Sequence, residues 1–127
     1  MKLEPLEEFG REFVSEVHDG SLAVMAAELE GSLNNPAATS LSARYRSLTP
    51  EAQEIVLDAV SAAVDQTFAR SLGYFEDKES PVYYTTREGE VVDVNLQSDG
   101  LSAEPYGSTG WIERFSQYPD GLSHPTG

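Results

Sequence analysis

Histidine is the side chain best suited to moving protons near neutral pH, and this sequence has two, His18 and His124. His18 stands just before Asp19-Gly20, where a first helical pattern is expected to end; a cation there is favourable against the helix dipole. No serine or cysteine is suggested as its partner, and general acid–base work needs a positioned neighbour. His124 falls in the C-terminal tail. Among the carboxylates, Glu51, Glu54, Asp58 and Asp65 share a helical face with Ser61, opposite two apolar rows, and so read as a solvated stripe. The spacings that hold metals are missing: there is no His-x-x-x-His and no Glu-x-x-His, and Asp93-x-Asn95 followed by Asp99-Gly100 does not make a calcium loop. Gly107-Ser108-Thr109-Gly110 lacks the lysine of a phosphate-binding loop, no Gly-x-Ser-x-Gly elbow occurs, and there is no cysteine. The expectation is a protein that is not an enzyme, with no catalytic set, no metal and no cofactor.

Charge is the extreme feature. Twenty-two acidic residues stand against eight basic ones, for a net charge of −14, spread along the whole chain and not gathered in a tail. Such a field opposes nucleic acid and anionic membranes and speeds encounter with basic proteins, although acidity also serves solubility alone. Residues that form binding hot spots gather in the last third: Tyr83, Tyr84, Tyr106, Trp111, Phe115 and Tyr118. The same rings are suited to building the second half of a core, which is the preferred reading. The expected partner-binding set is Trp111, Tyr106, Tyr118 and Glu113, with Trp111 as the anchor if it is exposed.

These residues need elements to position them. At 127 residues the chain fits one domain, with a helical part over 1–79 and a hairpin, short helix and tail over 80–127. Leu6, Phe9, Phe13 and Val17 draw one helical stripe after Pro5, with Asp19-Gly20 as the stop. Ser21 opens a second helix carrying Leu22, Met25, Ala26, Leu29 and Leu33, which ends before Asn34-Asn35-Pro36, and a weaker helical stretch covers 37–48. Thr49-Pro50-Glu51 starts the strongest helix, running to about Phe75. One row, Val56, Val60, Val64, Phe68 and Leu72, fills the core; a second, Ala52, Ile55, Ala59 and Ala63, makes the buried face wide and suits close approach of another helix. After Pro81 the period changes to alternation: strands at 82–86 and 91–96 flank the turn Arg87–Glu90, and an edge strand is expected at 101–106. The last helix spans 110–118, with Ser108 or Thr109 as cap and Pro119 as stop. The fold class is therefore α+β: three to four helices, then a small antiparallel hairpin or meander and a short C-terminal helix. No run approaches the length of a membrane span and no secretory leader is evident, so a soluble cytoplasmic protein is expected.

Asp99-Gly100-Leu101 followed by Gly110-Trp111-Ile112-Glu113-Arg114-Phe115-Ser116-x-Tyr118 resembles a group of small acidic bacterial proteins, some of them immunity-type or accessory proteins. The resemblance spans about twenty residues, implies no enzymatic activity and carries over no functional residue. Residues and resemblance together favour a non-enzymatic acidic protein-binding module, of which an immunity or regulatory factor neutralising a basic protein is one form. Two alternatives stay open. One is a small-ligand protein or enzyme with a site between helices and sheet, for example His18 with a carboxylate. The other is a structural homo-oligomer joined through the alanine row.

Overall fold

The structure, a computed structural model, describes residues 2–123. Helix α1 (Pro5–Phe13) begins with proline at its first position, where the missing N–H costs nothing. It does not stop at Asp19-Gly20. A wide π-helical turn (Val14–Asp19) carries the chain directly into α2 (Gly20–Glu30), and Gly20 keeps right-handed helical angles. The true stop is Gly31, whose φ of +84° gives the left-handed cap that glycine adopts at least cost. Helix α3 (Pro36–Arg46) forms where the weaker stretch was expected, because Asn35 accepts a hydrogen bond from the Ala38 N–H and offsets the poor helix formers inside it. Thr49 caps α4 (Pro50–Asp77) in the same way, through the Ala52 N–H.

The hairpin is shorter than the alternation implies. Strands β1 (Tyr83–Thr85) and β2 (Val91–Asp93) pair antiparallel, Tyr84 opposite Val92, around a turn in which Gly89 has φ +91°. Asp93 ends β2 by accepting the Asn95 and Leu96 N–H groups, which starts the short helix α5 (Val94–Gln97) inside the expected strand. The expected third strand is instead a 3-10 turn (Leu101–Ala103); its Ser102 donates through both N–H and hydroxyl to Glu76, holding that carboxyl below its usual range, backbone bond first. The last helix, α6 (Trp111–Phe115), follows Gly110 and not a Ser108 or Thr109 cap. The carbonyls of Glu104 and Pro105 fold back to take its first two N–H groups. It ends three residues early, because Ser116 turns extended and its hydroxyl accepts the Tyr118 N–H. The architecture is α+β.

The core lies where α1 and the π turn meet the second half of α4 and the C-terminal elements. Val14, Phe68, Leu72, Leu101, Trp111 and Ile112 fill it, with Phe9 and Phe13 packed alongside. Tyr84 turns inward, its ring edge-on to Phe9 at 5.5 Å, which fastens the hairpin to α1; Tyr83, on the opposite face, is exposed. The long helix buries less than its two rows imply. Phe68, Ala69 and Leu72 are buried and Val56, Val60 and Val64 half-buried, but Ile55, Ala59 and Ala63 face outward, because neither α2 nor α3 covers that side of its first half.

Candidate functional site

The residues with the most chemistry come together at the π turn. In an ordinary helix adjacent side chains point about 100° apart. Here the wide turn buries both His18 and Asp19 along with Val14. π segments occur mostly as single turns inside α-helices, frequently at functional sites. The His18 ring is wholly buried, edge-on to Phe68 at 5.4 Å. Its Nδ1 lies 2.8 Å from Asp19 Oδ1 and its Nε2 2.6 Å from Asp65 Oδ1. Asp19 also accepts from the Ser116 hydroxyl at 2.6 Å and the Gln117 N–H at 2.8 Å. One histidine and two carboxylates thereby join the first helix, the long helix and the C-terminal segment.

His18 thus does not stand at a helix end, and the acidic stripe of α4 is not wholly solvated. Glu51, Glu54 and Asp58 are exposed, whereas Ser61 is buried, donating to the Leu57 carbonyl and accepting the Leu122 N–H, and Asp65 is half-buried on the histidine. Burial alone lowers the His18 pKa; the hydrogen bonds to Asp65 and then Asp19, with their charges, outweigh it and leave the ring above its ordinary 6.5. In its protonated form the ring has an N–H on each nitrogen, one for each carboxylate. A cavity of about 260 Å³ opens beside it, lined by Val17, Ala63, Val64, Thr67 and Phe68 as well as His18. No group of three or more His, Asp or Glu side chains among the described residues is placed to hold a metal ion.

A second concave region lies between the second half of α4 and the loop after the 3-10 turn. It is a cleft of about 630 Å³ with Arg70, Gly73, Tyr74 and Asp77 on one side and Ser102 and Tyr106 on the other. Tyr74 is 60% exposed and Tyr106 50%, the latter tethered through its hydroxyl to the Asp65 carbonyl at 3.3 Å.

The four residues expected to bind a partner are separated by the fold. Trp111 is completely buried: it is a core residue, its ring pressed over Gly10, and no anchor on a free surface. Tyr106 lines the cleft, Glu113 is exposed on α6, and Tyr118 is half-buried beyond the helix expected to carry it. His124 lies outside the described residues. Sequence reading missed Asp65 as the partner of His18, 47 residues away, and missed Tyr74 and Arg70 as walls of the cleft. Only the His18-Asp19 adjacency was a signal, and adjacent residues on a regular helix do not meet. No helix among the described residues is long and apolar enough to cross a membrane. Set against known proteins, the chain matches no family model, no curated protein and no solved structure.

Proposed function

We propose that this chain is a non-enzymatic, acidic protein-binding module for a basic partner, in the manner of an immunity or regulatory protein. The observation that carries this reading is the tyrosine-walled cleft on a chain of net charge −14. Tyrosine and arginine dominate binding hot spots, and half-exposed tyrosine faces attract the cationic side chains that a basic partner brings. The acidic field governs encounter, and the cleft governs residence. Association with a basic partner is expected to slow at least tenfold as salt rises from about 0.05 to 0.5 M, where the screening length shrinks from about 14 to about 4 Å. Tyr74→Ala with Tyr106→Ala is expected to raise the dissociation rate tenfold or more and leave association nearly unchanged. Stopped-flow and surface-based kinetics measure both; an association rate indifferent to salt reduces the charge to a solubility device.

A second reading, a homo-oligomer, draws on the outward-facing row of α4, where Ile55 is 67% exposed and Ala59 and Ala63 are exposed beside it. If that row is an interface, Ile55→Glu converts a dimer to a monomer in light scattering at unchanged helicity. A wild-type chain already monomeric at high concentration removes this reading.

A further inference from the structure

We propose that the Asp19–His18–Asp65 cluster is a pH-sensitive clamp: the doubly protonated ring holds the π turn, the long helix and the C-terminal segment together, and loss of its proton releases Asp65. A carboxylate only accepts hydrogen bonds, so the contacts of 2.8 Å at Nδ1 and 2.6 Å at Nε2 each require an N–H, and only the imidazolium has two. The neutral ring must abandon one carboxylate. Asp19 is the one it keeps, because both Asp19 oxygens are already tied down, by Ser116 and Gln117, and its side chain is only 11% exposed. The Asp65 side chain is 36% exposed, so water can take over its oxygens. The freed contact is a lone pair facing a carboxylate, which drives the two helices apart at the cavity wall.

Every group around the ring points the same way. Among the described residues, the π turn contributes Asp19, α4 contributes Asp65 and the uncharged Phe68, and the C-terminal segment contributes the neutral Ser116 and Gln117 behind Asp19. The Tyr106 hydroxyl reaches the Asp65 carbonyl and titrates above its ordinary 10, through burial and then the Asp65 charge. Among the described residues neither carboxylate has a cationic partner besides His18. Because the folded pKa of the ring lies above its unfolded value of 6.5, the clamp's stabilisation is fully present below about 6.5 and is lost as pH rises through the folded pKa.

The test is made in full-length chain carrying His124→Gln, so that His18 is the one histidine observed. Nitrogen NMR of the ring is expected to show both nitrogens protonated on the acid side of its titration, with the midpoint above 6.5. The melting temperature is expected to fall by several degrees along that same titration between pH 6 and 10, with faster amide exchange over 116–122. In Asp65→Asn, whose amide donates to a neutral Nε2, the midpoint drops and the alkaline fall in melting temperature disappears. A ring that titrates at or below 6.5 overturns the clamp, and so do parallel melting curves for the two proteins. Should Asp65→Asn fail to fold, the protonation state and midpoint of the wild-type ring decide alone.

Discussion

Gly10→Ala destabilises the domain by about 1–3 kcal/mol, and does so only while Trp111 is present. A glycine inside a helix ordinarily costs about 1 kcal/mol relative to alanine, so on an open helix face the same change stabilises. Here α1 brings Gly10 under the indole: an added Cβ falls 2.6 Å from Trp111 Cδ2 and 2.7 Å from Nε1. Neither side yields. The ring is edge-on to Phe9 at 5.9 Å, and the backbone of α6 is held from behind by the Glu104 and Pro105 carbonyls. Removing the ring instead is more costly. Trp111→Ala empties the middle of the core and is expected to lose about 3–5 kcal/mol, a large part of the stability of a domain this size. Trp111→Phe is expected to lose much less, since the indole N–H it discards is buried without a hydrogen-bond partner among the described residues. In the double variant Gly10→Ala, Trp111→Ala, the methyl enters the space the ring has left, so the combined loss falls below the sum of the single losses. Urea unfolding of the four proteins measures this coupling; strict additivity shows that glycine and indole do not touch.

That contact shows what could and could not be read from the chain. The Trp111 ring was recognisable as core material, because the last third has few aliphatic residues to do the work, and the stripe Leu6–Phe9–Phe13 located the face it meets. Both are local patterns of type and period. Caps were equally legible at Thr49-Pro50, where side chain and backbone lie three residues apart. The failures have a common physical origin, the override of local preference by distant partners. Asp19-Gly20 carries a stop signal, yet the helix continues because His18 and Asp19 find acceptors and donors at Asp65, Ser116 and Gln117. Leu101–Tyr106 has the look of an edge strand, yet Glu76 takes the Ser102 N–H and winds it into a 3-10 turn. The alanine row of α4 has the composition of a buried seam, yet Ile55, Ala59 and Ala63 meet no covering element among the described residues. The cleft was invisible for the same reason: Tyr74 and Tyr106 come to line one space only once α4 and the C-terminal loops are in place.

Asp19 is where those long-range bonds converge, and its removal is expected to be among the most damaging single changes in the chain. Asp19→Ala takes away the acceptor for His18 Nδ1, for the Ser116 hydroxyl and for the Gln117 N–H together. Breaking a buried ion pair by deleting one partner costs about 3–5 kcal/mol, because the remaining charge stays in a place built for two. His18 can shed that charge by losing its proton, and then gives up part of its hold on Asp65 across the core, so either outcome loosens the first helix from the long helix. Asp19→Asn keeps the shape and one acceptor, enough for the Gln117 N–H, while the Ser116 hydroxyl can turn to accept from the new amide. Its cost is expected to be nearer 1–3 kcal/mol. The C-terminal segment provides the local reading. With Asp19→Ala, amides over 116–122 should exchange at least tenfold faster than those in the middle of α4, because the hold on the segment then passes to its far end, where the Leu122 N–H bonds Ser61 and the Ser123 hydroxyl bonds Asp58. Asp58→Ala is the control: it removes a single bond from the Ser123 hydroxyl at an exposed site, and its effect is expected within about 0.5 kcal/mol. Equal losses for Asp19→Ala and Asp58→Ala would mean that the carboxylate beside His18 holds nothing that water does not replace.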